Sequence, residues 1–362
     1  MGRAKWMKIV GSTALACFAV WALAFVPDTA QAQGKVEYKW RFGSAWTQKV
    51  RNDSIQIYCD LVNKYSNGRI QITFKPSGQL GTHDEIFHAV REGSIEFGVY
   101  APYVNLVPGG MLNWMPWTVG TYEEAAIAYA PPNGILYQVM DKAYEEVGHK
   151  LLWSSPMGPY GIGNKVRPIK TPDDFKNLKL RVSASLGFVR ALENMGKGSG
   201  MTLQTIPWAD LYNALQTGVV DGCWSLWGSL VEERHFEVLK HYTILDWSWD
   251  SCNIAMNRKV WDKLPQDLKD AIFKAGREAE ARDYRERKKT DEEYKQKVAS
   301  AGLILYPSTA AEREVFRKKA NMPAVWEELA KPWLEKTYPG QNMTQKVQDE
   351  LEKVIAQAAK KN

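Results

Sequence analysis

Five histidines, His83, His88, His149, His235 and His241, are the first candidates for metal or acid–base chemistry, and their spacing supports neither. His83 and His88 lie five residues apart, so one helix face does not present both as an HExxH motif does. The cysteines lack the paired spacing of a zinc site. Glu232 and Glu233 are neighbours in sequence and read as solvated acids. No GxSxG elbow, P-loop or post-strand GxGxxG is present. The residues therefore argue against an enzyme, and they call for no metal and no cofactor.

Tryptophan is abundant instead. Of fifteen, only Trp6 and Trp21 fall in the first 32 residues. Trp46, Trp114, Trp117, Trp208, Trp224, Trp227, Trp247 and Trp249 fall where strands should meet loops. An indole gives a rigid apolar wall with one N–H donor, which suits a small-ligand cleft as well as a core. One arginine stands among these segments. In LKLRVSASLG (178–187), Leu178, Leu180 and Val182 share one strand face, and Lys179, Arg181 and Ser183 share the other. A guanidinium fork matches an oxyanion bidentately, and Ser183 could add a hydroxyl. Pattern alone leaves Arg181 open between an exposed strand residue and an anion grip.

The elements that would position these groups alternate. A strand is expected over Tyr38–Gly43, a helix over about Asp53–Tyr65 closed by Ser66-Asn67-Gly68, and a strand over Ile70–Phe74. Thr82 can cap a helix through Val90, followed by a strand over Ile95–Val99. Residues 102–132, rich in Pro, Gly and aromatics, read as a loop covering something apolar. A second set starts near Leu151, with Thr171-Pro172-Asp173-Asp174 opening a short helix before the Arg181 strand. A further helix spans about Ala209–Thr217, and strand and turn follow over Val219–Trp224. From about Pro265 to Ser300 only Gly276 interrupts a dense helical pattern. Up to about 36 residues, or roughly 54 Å, is too long for one small domain, so the helix should span two. A helical tail over Thr344–Lys360 ends the chain. The fold class expected is α/β, two-lobed.

The N-terminus is of another kind. Arg3, Lys5 and Lys8 precede an uncharged apolar run, Ile9–Val26, and then Ala30-Gln31-Ala32. That order reads as a cleaved secretory signal over residues 1–32, and so as an exported protein. Its loss removes three basic residues and one acid, taking the formal charge from +6 to +4. With 45% apolar and 24% charged residues, the 362-residue chain suits a folded protein of two domains. No basic block suggests nucleic acid. Cys59, Cys223 and Cys252 remain, and an odd count allows at most one internal pair.

Three blocks give the chain a family likeness: NGRIQITFKPSGQLGTHDEIFHAVREGSIEFG (67–98), IKTPDDFKNLKLRV (169–182) and IPWADLYNALQTGVVDG (206–222). In order and spacing they resemble the periplasmic solute-binding subunits of TRAP transporters, the dicarboxylate-binding type. The resemblance implies two lobes hinged around a ligand: lobe I over 33–156 with part of 250–302, and lobe II over 157–249. A lobe-spanning helix over 264–301 and a C-terminal helical region over 303–362 complete it. It also implies a small and a large membrane subunit as partners, driven by an ion gradient. Such proteins grip the ligand's acid group with an arginine ending a K-G-L-K-[IL]-R-like strand, which matches Arg181. Asn177 replaces the glycine of that motif.

After V-D-G, where relatives often carry Glu-Asn or Glu-Trp, this chain has Cys223-Trp224-Ser225. Trp224, Ser225, Trp208 and Trp247 or Trp249 become pocket candidates, with Trp46 and Tyr100 opposite and Tyr160 approaching. The expected ligand is a small organic anion, a carboxylate or a sulfonate such as isethionate. The competing functions are the binding protein of an ATP-driven importer and, further off, an exported enzyme.

Overall fold

The computed structural model describes residues 35–101, 106–183 and 185–360. The expected signal segment over residues 1–32 lies outside the described residues. The strands are β1 (Tyr38–Gly43), β2 (Ile70–Lys75), β3 (Phe97–Tyr100), β4 (His149–Pro159), β5 (Gly161–Asn164), β6 (Lys179–Val182), β7 (Thr202–Thr205), β8 (Gly222–Ser225), β9 (His241–Ile244), β10 (Trp249–Asn257) and β11 (Ile304–Pro307). They form two sheets, ordered β2-β1-β3-β10-β4 and β11-β9-β5-β8-β6-β7. Each contains a parallel trio, β2-β1-β3 in the first and β8-β6-β7 in the second. Antiparallel pairings extend both sheets, and a parallel β11–β9 pair completes the second. The fold is α/β in two lobes, one around each sheet.

Two strand pairs link the sheets side by side. β4 passes into β5 through Tyr160, and β9 passes into β10 through residues 245–248. The Tyr160 N–H donates to the Ser248 carbonyl at 2.8 Å, and the Trp247 N–H donates to the Tyr160 carbonyl at 3.4 Å. Two short crossovers tied at one level, where local φ/ψ change can relate the lobes, have the geometry of a hinge.

The third connection is the helix Gln266–Ser300, 35 residues and about 52 Å long. Its buried stripe runs Leu268, Ile272, Ala275, Gly276, Ala279, Glu280, Asp283, Arg287, Asp291 and Val298, at three- and four-residue spacing. It packs on β4 and the helix Lys49–Tyr65 of the first lobe, and on the helix Trp227–Glu232 that follows β8 in the second. Gly276 lets the buried Trp153 ring lie against the helix, since a Cβ there would stand 3.0 Å from the indole. Further along, the stripe turns ionic. Asp283 accepts from Ser54 and Ser155, and Asp291 accepts from the Tyr122 hydroxyl at 2.6 Å. Arg287, at 1% exposure, lies between these acids.

Local signals explain most elements. Thr82 and Glu85 form a reciprocal capping box at the start of His83–Glu92, and Gly93 ends that helix at φ +84°. Thr171 and Asp174 do the same for the 3₁₀ turn Pro172–Phe175. Other regions differ from expectation. The stretch read as a loop contains a 3₁₀ turn, Gly110–Trp114, and a helix, Tyr122–Ala128. Thr121 and Glu124 cap that helix, a signal masked by the Pro- and aromatic-rich surroundings. The C-terminal region opens on β11, which pairs with β9 and is therefore not wholly helical. β10 was invisible to alternation because it is buried on both faces. Cys59, Cys223 and Cys252 are buried free thiols.

Two predictions follow from this packing. Gly222 sits in β8 where a Cβ would come within 2.2 Å of the Gly163 carbonyl oxygen on β5. Gly222→Ala should destabilise the protein by about 1–3 kcal/mol in urea denaturation, as overpacking does; an unchanged midpoint would show that β5 and β8 are not so closely apposed. The second concerns Asp291, whose carboxyl is pushed from 3.8 up to about 7, chiefly by burial. Its contribution to stability is full below about pH 4 and is lost as pH rises through about 7. Asp291→Asn should therefore gain on the wild type across that window, giving a flatter curve of urea midpoint against pH. Parallel curves would count against the assignment.

Candidate functional site

A cavity of about 290 Å³ opens between the two sheets. It lies at the carboxyl ends of both parallel trios, where strands stop and loops supply side chains. The second lobe contributes Arg181 and Ser183 from the end of β6, Trp208 after β7, and Trp224 and Leu226 from the end of β8. The first lobe contributes Trp46, Gln48 and Arg51 after β1, His83 at the start of its helix, and Ala101 after β3. β4 adds Met157, β10 adds Asp250 and Cys252, and the crossover between β4 and β5 adds Tyr160.

Arg181 is the buried cation of the second wall, at 3% exposure. Strand alternation holds: Leu180 and Val182 pack into the apolar core, and Arg181 takes the other face of β6. That face is not solvated. The Arg181 Nε donates to the Ile206 carbonyl at 2.9 Å, and its guanidinium lies 5.4 Å from the Trp208 ring centre and 6.0 Å from that of Trp224. His235 meets Trp208 edge-on at 5.3 Å, and burial, then the charge of Arg181, lowers its imidazole to about 4. It is neutral at physiological pH and adds no charge to this wall.

Trp224 is held by Phe188, whose ring centre lies 3.8 Å away, and Tyr160 tilts against both. The Tyr160 hydroxyl donates to Asp250 Oδ2 at 2.8 Å, and the Trp114 Nε1–H donates to Oδ1 at 2.7 Å. Burial raises the Asp250 carboxyl above its usual range, against these two hydrogen bonds. Both oxygens accept from neutral donors, which suits an ionised carboxylate.

Of the residues singled out from sequence, Arg181, Ser183, Trp46, Trp208, Trp224 and Tyr160 stand together on the cavity wall. The other four stand behind it. Ser225 is fully buried, one position past Trp224, so strand alternation turns it the opposite way. Tyr100 packs among Phe87, Tyr144 and His149 in the first core. Trp247 supports Phe188 edge-on at 4.9 Å, and Trp249 stacks with Tyr284 on the long helix. These four support the wall from the core.

Sequence reasoning missed Arg51, Phe188, Met157 and Asp250. Arg51 escaped because its helix was expected to begin near Asp53, whereas it begins at Lys49. Asp250 belongs to the unpatterned strand β10. The segment Cys223–Trp227 is free of acids, but the cavity is not.

Comparison with known proteins agrees with this geometry. Residues 44–332 match the family model described as bacterial extracellular solute-binding protein, family 7. The C4-dicarboxylate-binding periplasmic protein DctP of Rhodobacter capsulatus is 27% identical over 286 residues, 75% of this chain and 78% of that one. A TRAP periplasmic solute-binding protein from Ochrobactrum anthropi superposes with a TM-score of 0.78 at 21% identity, covering 90% of this chain and 98% of that one. One from Sulfurospirillum deleyianum, solved with succinate, gives 0.67 at 22% identity, covering 87% and 99%. Among the described residues no helix is long and apolar enough to cross a membrane. With its two α/β lobes, tied crossovers and shared helix, the chain belongs to the bacterial extracellular solute-binding proteins, family 7.

Proposed function

We propose that this protein captures a small organic anion in the periplasm and delivers it to the small and large membrane subunits of a TRAP transporter. The observation that carries the reading is Arg181: a guanidinium at 3% exposure on a cavity wall, oriented by the Ile206 carbonyl and flanked by two indoles. Charge-assisted hydrogen bonds to an acid group at such a place contribute roughly 1.5–3 kcal/mol. The indole walls and Phe188 suit the apolar part of a small ligand. Family membership favours this transporter class over an ATP-driven importer, and the site has the composition of a binding pocket rather than of an enzyme.

The head group is a carboxylate on this reading. The Rhodobacter relative is named for C4-dicarboxylates, and the Sulfurospirillum protein holds succinate. An acid-free segment, Cys223–Trp227, would favour a sulfonate such as isethionate. Asp250 on the same cavity weakens that motive.

A thermal-shift screen of the mature protein against carboxylates, isethionate, neutral sugars and amino acids tests the reading. A true ligand at about 100 times its Kd should add about 2.7 kcal/mol. That corresponds to a rise of roughly 5–11 °C in Tm for a chain of this size. Arg181→Met should abolish the shift with little change in the unliganded Tm. Stabilisation by neutral sugars alone, or an undiminished shift in Arg181→Met, would refute it.

A further inference from the structure

The second lobe's anion site has a counterpart on the facing wall. Arg51, in the first turn of the helix Lys49–Tyr65, lines the same cavity at 2% exposure. Its guanidinium lies 3.9 Å from the ring centre of Trp46. Trp46 in turn meets His83 edge-on at 4.3 Å. Burial, then the charge of Arg51, lowers the His83 imidazole to about 4, so this histidine is neutral too. Arginine, indole and neutral histidine thus recur on both walls, as Arg51–Trp46–His83 and as Arg181–Trp208–His235.

The Arg51 guanidinium is incompletely satisfied within the protein. Nη2 faces the Met157 sulfur, a weak acceptor. Nε and Nη1 are buried without a hydrogen-bond partner among the described residues. The Trp46 Nε1, the His83 Nδ1 and the Gln48 Oε1 on the same wall share that condition. A buried polar group with no partner is costly, and a cluster of them on one cavity wall, with Arg51 and Trp46 as donors and Gln48 Oε1 as an acceptor, indicates that the partner comes with the ligand. The acids near Arg51 are engaged elsewhere. Asp250 accepts from Trp114 and Tyr160, and Asp283 accepts from Ser54 and Ser155 with Arg287 alongside.

We infer that Arg51 is a second ligand-gripping residue, taking a neutral oxygen, hydroxyl or carbonyl, at the end of the ligand opposite the acid group held by Arg181. The inference rests on the anion-binding reading above. The neutrality of the far oxygen follows from charge matching. With Asp250 ionised, as its two donated hydrogen bonds favour, the two guanidiniums lining the cavity among the described residues outnumber that carboxylate by one positive charge, which one acid group cancels. A second acid group would leave a buried negative charge uncompensated.

Isothermal titration with a matched series tests this. The probes are ω-hydroxyalkanoates of three to six carbons, each set against the alkanoate and the dicarboxylate of the same length. At one length at least, the hydroxy acid should bind the wild type about tenfold or more tighter than both counterparts. Arg51→Met should erase its advantage over the alkanoate, and Arg51→Lys should restore part of it. The unliganded Tm of Arg51→Met should hold or rise, because a buried charge without an acceptor has been removed. Alkanoates binding as tightly as hydroxy acids at every length, dicarboxylates binding tightest throughout, or an advantage that survives in Arg51→Met would each overturn the inference. So would a Tm loss of more than about 5 °C in Arg51→Met, which would mark a structural role.

The two readings fail separately. Loss of binding in Arg181→Met beside unchanged affinity and selectivity in Arg51→Met sinks only the role of Arg51. Anions that bind neither the wild type nor any variant sink the reading beneath it, and Arg51 with it.

Discussion

A guanidinium removed from water must be compensated by whatever faces it, and this constraint organises the second lobe around Arg181. Moving a charge into a low-dielectric site is costly unless hydrogen bonds and polarisable neighbours replace the lost hydration. The Ile206 carbonyl and the faces of Trp208 and Trp224 supply part of that replacement. His235 and Cys223, both close enough to feel the arginine's charge, remain uncharged: the imidazole is lowered to about 4 and the thiol raised to about 12. Neither group, then, opposes or cancels the positive charge that the proposed anion would meet at Arg181. Position in the fold assists, because β6, β7 and β8 end together and their loops converge on the same point.

The first lobe meets the same constraint differently. Arg51 comes from a helix rather than a strand, and its compensation is a close indole face and a thioether. What keeps the two walls at a usable separation is the connection between the sheets. Tyr160 and Ser248 bond the two crossovers together, and the helix Gln266–Ser300 packs on both lobes. Tyr160 has a second task, since its hydroxyl fixes Asp250 on the cavity wall. Hinge and site thus share a residue, which couples the relation between the lobes to the electrostatics of the cavity.

Much of this was legible in the sequence, for specific reasons. The order of strands and helices showed because capping boxes, αL glycines and alternation are local signals, as at Thr82, Gly93 and β6. The long helix showed because its pattern runs uninterrupted except at Gly276. Arg181 stood out through strand alternation and then through the family blocks around it. β10 did not, because a strand buried on both faces has no period to read, and Asp250 was lost with it. Arg51 was lost for another reason: its helix begins at Lys49 rather than near Asp53, its contact with Met157 comes only through the tertiary fold, and nothing in its neighbours' spacing marks it as buried. Tyr100, Trp247, Trp249 and Ser225 are aromatic or polar and close in sequence to the wall, yet which side of a strand faces a cavity is settled by packing.

The repeated arginine–indole–histidine arrangement bears on closure itself. Two cations on opposite walls of one cavity repel, and the repulsion grows as the walls approach and water leaves. Asp250 offsets part of that repulsion but leaves one positive charge in excess. On the proposed reading, an anion between the walls cancels that excess, so approach of the lobes is favoured with it and opposed without it. A neutral molecule of the same shape would fill the cavity and leave the repulsion intact. Discrimination then acts at closure as well as at first contact, because a ligand shifts a two-state equilibrium only by its differential affinity for the states. On this view the two guanidiniums serve selection twice, once as donors to particular oxygens and once as like charges that only the right ligand can hold together.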